Sequence, residues 1–103
     1  MKRAAKTKNK TAPKKQPEGA IQVGQAYLFR LATVYDLGRV VEIHPDAFVL
    51  EDASWVPDTG RFSDALRSFQ LNEVEPFAGR AIVFRGACVD ATTWNGPLPR
   101  EKK

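Results

Sequence analysis

From Gly24 onward the sequence is a series of short runs with β-type patterning, each cut by turn residues, and no run approaches eighteen apolar positions. That spacing excludes a membrane-spanning helix and leaves a mainly β fold of short antiparallel strands. Residues 26–35 alternate, with Tyr27, Phe29 and Leu31 on one face and Leu28, Arg30 and Ala32 on the other, and predict a first strand. Asp36-Leu37-Gly38 reads as a turn and residues 39–43 as the second strand of a hairpin. His44-Pro45-Asp46 interrupts pairing, because proline lacks an amide hydrogen, and residues 47–53 predict a third strand.

The pattern then changes period. Phe62, Ala65, Leu66 and Phe69 recur at i, i+3, i+4 and i+7 and predict a helix over about 60–69, with Asp58 or Thr59 available to cap it. Residues 73–77 read as a short edge strand limited by Pro76, residues 81–84 as the next strand, and residues 87–92 as a last run after Arg85-Gly86. About five strands in residues 21–99 close most economically into a small, strongly bent antiparallel barrel, which removes exposed edges, with the helix as a lid. The length of 103 residues allows one such domain.

The formal charge of +4 is unevenly spread. Residues 1–20 hold Lys2, Arg3, Lys6, Lys8, Lys10, Lys14 and Lys15 against Glu18 alone, a net +6, with no apolar periodicity. They are expected to be a disordered arm, and such an arm suits phosphates on RNA or DNA, or serves only as a solubilising tail. Residues 100–103 add +2, so residues 21–99 carry −4 and no lysine. The folded part is therefore expected to be mildly acidic.

Catalytic groups are sparse. His44 is the one histidine, in a turn, and a solvated role is expected for it. Cys88, the one cysteine, excludes a disulfide framework or a cysteine zinc site, and its apolar run predicts a buried, inert thiol. Asp46, Glu51, Asp52 and Asp58 lack the spacing of a calcium loop and read as a solvated acidic face. No catalytic residue, metal site or cofactor is expected. Phe48, Trp55 and Trp94 are candidates for stacking on bases or for a subunit interface, with core packing the alternative. Arg85 could bind phosphate or hold a carboxylate across a subunit boundary.

Two segments resemble a known family. Gly38-Arg-Val-Val-Glu-Ile-His-Pro-Asp-Ala-Phe-Val-Leu-Glu-Asp52 resembles the first motif of Sm and Sm-like proteins, and Ile82-Val-Phe-Arg-Gly-Ala-Cys-Val89 resembles the second. The resemblance implies an SH3-like barrel that joins copies of itself edge to edge in a ring, with RNA near the pore at positions matching Asp46, Phe48, Arg85 and Gly86. The first motif departs from the family in having no asparagine after Asp46. Residues 50–76 also resemble small bacterial and phage proteins. Together these features imply a non-enzymatic homo-oligomer that binds RNA or DNA mainly through the arm. The alternative is a phage structural, assembly or decoration protein whose arm makes subunit contacts in a virion or other large assembly. The charged start has no apolar segment behind it, so a cytoplasmic or virion location away from membranes is expected.

Overall fold

Tyr27, Leu28 and Phe29 are consecutive and all buried, so the strand that carries them must be covered on both faces. In the computed structural model, which describes residues 19–103, this strand is β1, Ala26–Arg30. It is followed by β2 (Tyr35–Ile43), β3 (Ala47–Asp58), the helix α1 (Phe62–Ser68), β4 (Glu73–Pro76), β5 (Ala81–Phe84), a 3₁₀ turn at Arg85–Ala87, and β6 (Asp90–Thr93). Residues 1–18, and with them all seven arm cations, lie outside the described residues.

The six strands form one antiparallel sheet in the order β4-β3-β2-β1-β6, with β5 paired to β3 as well. The twelve-residue β3 is long enough to serve two neighbours on one edge, β5 at Ala47–Leu50 and β4 from Ser54 to Asp58. The expected closed barrel is thus corrected to an open sheet of six strands. No strand pair joins β6 to β4 or β5. The outer edge of β4 is met instead by the C-terminal segment, where the main chains of Lys103 and Val74 exchange hydrogen bonds of 2.8 and 3.2 Å.

Each face of β1 has its own core. Tyr27 and Phe29 pack with Val40, Phe48, Leu50, Ala53, Ala81 and Val83, and the Phe29 and Phe48 rings stack at 5.5 Å. Leu28, on the opposite face, packs with Leu37, Val56, Ala65, Leu71, Val74 and Trp94. Register shifts between Leu37 and Arg39 and between Val40 and Glu42 let β2 bend between the two cores. At that bend Gly38 is a packing residue: a Cβ there would lie 3.0 Å from the Ala53 Cβ and 3.1 Å from that of Leu50.

Gly38 is therefore not the hairpin turn, which corrects the first strand as well. The chain reverses at residues 31–34, where the Leu31 amide donates to the Val34 carbonyl and Arg30 pairs with Tyr35. The helix is also shorter than expected. Its N-cap is Arg61, and neither Asp58 nor Thr59 caps it: the Asp58 carboxylate accepts from the Gly60 amide, and the Thr59 hydroxyl donates to the Gly60 carbonyl. Seven residues are too few for a stable isolated helix, so packing of Ala65, Leu66 and Phe69 holds it. Phe69 ends it in the left-handed region at φ 61°, with its ring edge-on to Trp94 at 5.1 Å.

Two stability predictions follow from this packing. A Cβ on Gly96 would lie 2.2 Å from Cγ of the Phe69 ring, so Gly96→Ala forces that ring off Trp94 and is expected to cost about 2 kcal/mol in urea unfolding. The Ser54 hydroxyl is fully buried without a hydrogen-bond partner among the described residues, so Ser54→Ala is expected to be neutral or to stabilise by about 1 kcal/mol in the same assay.

Candidate nucleic-acid interface

The chain enters the sheet along a fixed path. The Gln22 amide donates to the Tyr27 hydroxyl at 3.0 Å, and the Gly24 amide donates to the Val40 carbonyl at 2.8 Å, so residues 20–24 lie across the first core. Between this segment and the end of β5 is a cleft of about 510 Å³, lined by residues 19–23 with Ile43 and Arg85. Residue 18 and the basic residues before it therefore join the described chain at the cleft that Arg85 borders.

Arg85 is exposed, and its guanidinium carbon lies 4.4 Å from the centroid of the Phe48 ring. Its Nε donates to the His44 carbonyl at 3.0 Å. These contacts fix the plane of the guanidinium and leave its terminal nitrogens without a partner among the described residues. The other five arginines of residues 21–99 all have carboxylate partners: Arg30 with Asp90, Arg39 with Glu51 and Asp52, Arg61 and Arg67 with Asp64, and Arg80 with Glu42 and Glu51. Arg85 is thus the oriented, unpaired cation of that set, and its 3₁₀ turn positions it.

The remaining sequence candidates fall in different places. Phe48 is buried, with one neighbour the Phe29 ring and another Arg85, so it orients Arg85 and offers no free face to a base. Trp94 is also core, its indole donating to the Pro97 carbonyl at 3.0 Å, which corrects its reading as a stacking or interface residue. Trp55 is 40% exposed on β3. Asp46 is exposed beside Arg85, its carbonyl accepting the Arg85 amide at 2.9 Å.

Part of the acidic face is internally matched. His44, Glu42, Arg80, Glu51, Arg39 and Asp52 form a continuous chain of contacts across β2, β3 and the start of β5. The hydrogen bond from His44, with Arg80, holds the Glu42 carboxyl below its ordinary range, and Arg39 does the same for Asp52. Burial pushes the Cys88 thiol up, away from the thiolate a nucleophile needs, and the side chain is half-buried against the Phe84 carbonyl.

Sequence reasoning missed Asp36. Read as a turn residue, it is instead the second residue of β2, 9% exposed, with no hydrogen bond or ion pair to its carboxylate among the described residues. Burial raises its pKa. The sign is opposite to that of Glu42 and Asp52, whose depressed values stabilise the fold above the ordinary carboxylate range and lose that contribution as pH falls through them. A raised carboxyl contributes stability below its unfolded value and loses it as pH rises through the folded value. Asp36→Asn is therefore expected to stabilise the protein at pH 7 by about 1 kcal/mol in urea unfolding, and the gain should vanish as pH falls toward 3.8.

No family model, curated protein or solved structure matches the chain.

Proposed function

We propose that the protein is a non-enzymatic, Sm-like binding module that engages RNA or DNA through its basic N-terminal segment and Arg85. The observation that carries this reading is Arg85 itself: held against Phe48, unmatched by any carboxylate among the described residues, and placed at the cleft where the basic segment joins the sheet. A guanidinium whose plane is fixed and whose outer N–H groups are free suits bidentate contact with a phosphate. The seven cations of residues 1–18 extend that contact along a polyanion without reading its sequence. The Arg85-Gly86 pair occupies the position that the resemblance to Sm-like proteins assigns to RNA contact.

The same reading makes the protein a homo-oligomer. The outer edge of β5 has no strand partner among the described residues, and Ile82 and Phe84 on its outer face are each 59% exposed. Such an edge is a template for another strand. The other open edge is β6, and antiparallel pairing of β5 with β6 of the next copy brings the Arg85 end of one strand to the Asp90 end of the other. This arrangement is heterologous, so it closes into a ring when the rotation per copy permits. The alternative role, a structural or decoration protein of a phage particle, uses the same edge with the arm as a subunit tether, and co-sedimentation with a particle would distinguish it.

Nucleic-acid binding is tested by titrating labelled single-stranded RNA and DNA with the full chain at several salt concentrations. Replacing the seven arm cations with glutamine is expected to weaken binding at least about 100-fold at low salt and to flatten the salt dependence, and Arg85→Gln to reduce the logarithmic salt slope by about one contact. Unchanged binding in the arm variant overturns the proposal. Light scattering tests assembly: the expected mass is a multiple of 11.5 kDa, reduced to that value by Ile82→Glu together with Phe84→Glu.

A further inference from the structure

A second cleft, of about 380 Å³, opens on the sheet face that carries the core around Leu28, and it is lined by Arg30, Tyr35, Phe62, Asp90 and Thr92. Asp90, Arg30 and Tyr35 are directly opposed in turn across β6, β1 and β2, so their side chains share this face. Phe62, the first residue of α1, lays its ring on that of Tyr35, with centroids 6.0 Å apart and planes 24° from parallel. Tyr35 packs against the core, but Phe62 belongs to neither core and is 41% exposed. Its ring is therefore the outer member of an aromatic pair that borders an open cleft.

Arg30 supplies a second flat surface. Its Nε and one terminal nitrogen donate to the two carboxylate oxygens of Asp90 at 3.0 and 2.5 Å, which fixes the guanidinium plane. An arginine paired along its edge keeps its flat faces for stacking, and with its charge matched it suits an uncharged ring better than a phosphate. The Tyr35 and Thr92 hydroxyls have no partner among the described residues and can meet the polar edge of such a ring. The charge beside the cleft completes the set. Arg61 precedes Phe62, is 79% exposed and reaches Asp64 only at 3.9 Å, while Arg67 holds the same carboxylate at 2.6 Å. Arg61 is thus the cation next to the ring that can turn to an anion.

We infer that this cleft holds an unstacked nucleobase of a single strand, laid against Phe62 with the Arg30 guanidinium beside it and the adjoining phosphate at Arg61. The inference rests on the nucleic-acid reading for the class of its ligand and adds the form of that ligand. In a duplex the faces of a base are covered by its neighbours, whereas a single strand can turn a base out onto an aromatic ring or a guanidinium plane. Purines, with the larger ring surface, are held better than pyrimidines. The site is separate from Arg85 and from the N-terminal cations. It also assigns base stacking to a residue that reads in the sequence as one position of a helical apolar stripe, because Phe62 is the member of that stripe that the fold leaves outside the core.

The test titrates the full chain, with its seven arm cations changed to glutamine, with a four-residue oligoadenylate, and follows the ring resonances of Phe62 and Tyr35 by NMR. The expected result is a saturable upfield shift of both rings, with the Trp94 indole unmoved as the control for folding. An abasic oligomer of the same length and charge should produce no such shift. Phe62→Ala should weaken binding of the oligoadenylate about fivefold or more, and Phe62→Trp should restore it. In the chain with its arm cations intact, Phe62→Ala should weaken single-stranded RNA by a similar factor without changing the salt slope, since stacking releases no counterions, and should leave duplex RNA unaffected. Unmoved rings, equal shifts with the abasic oligomer, or unchanged affinity in Phe62→Ala overturns the inference. These outcomes are read without the arm, so they are distinct from a failure of the arm to bind, which the glutamine variant reports by itself.

Discussion

The double burial of β1 is the constraint on which the rest of this structure depends. A five-residue strand with Tyr27, Leu28 and Phe29 in succession has no face to give to water, so two separate layers must cover it. One layer is built by the first half of β3 with β5. The other is built by α1, β4 and Trp94. A single sheet supplies both only if it bends, and the two register shifts in β2 provide the bend. Gly38 sits there because the bend brings Ala53 and Leu50 too close for a side chain.

This bend also decides where charge is exposed. Polar side chains of β2 and β3 that face neither core meet on the outside, and there Arg39 and Arg80 interleave with Glu42, Glu51 and Asp52. Exposed pairs of this kind add little stability individually. Their larger consequence is that they use up the arginines of the domain. Arg85 escapes because the 3₁₀ turn carries it off the end of β5, over Phe48 and toward a main-chain carbonyl. Asp36 escapes for the opposite reason, since it lies in a row whose neighbours are aromatic.

The sequence made the two faces of β1 legible, because Tyr27 and Phe29 alternate with Leu28, and the 3.6-residue stripe of Phe62, Ala65, Leu66 and Phe69 located the helix. It misled at the first hairpin. Residues 31–34 contain neither glycine nor proline and read as strand, while Asp36-Leu37-Gly38 has the composition of a turn and lies inside β2. A glycine required by close packing and one required by turn geometry look alike in one dimension. Misplacing that turn hid Asp36, whose burial becomes visible only once Arg30 is paired with Tyr35 and Asp36 with Trp55. Arg85 was legible as a candidate from its Arg-Gly pair, whereas its lack of a carboxylate partner depends on contacts from distant strands.

Closure was misjudged for a related physical reason. A barrel removes both edges by pairing its first and last strands, and the sequence offered enough strands for that. Here β5 and β6, separated by only the 3₁₀ turn and two further residues, pair to opposite sides of the sheet, β5 to β3 and β6 to β1. The short link holds their neighbouring ends near each other without bringing them into register. The β4 edge is met by Lys103, and the space beside it is filled by Trp94, Phe69 and Leu98 instead of a strand. Both open edges are thereby left to strands four residues long. The polar β6, with Asp90 and two threonines, is poorly suited to pairing with itself, whereas the apolar β5 carries the exposed Ile82 and Phe84. The same short link that sends β5 and β6 to opposite sides of the sheet carries Arg85 off the end of β5, so the openness of the sheet and the exposure of Arg85 share one physical origin.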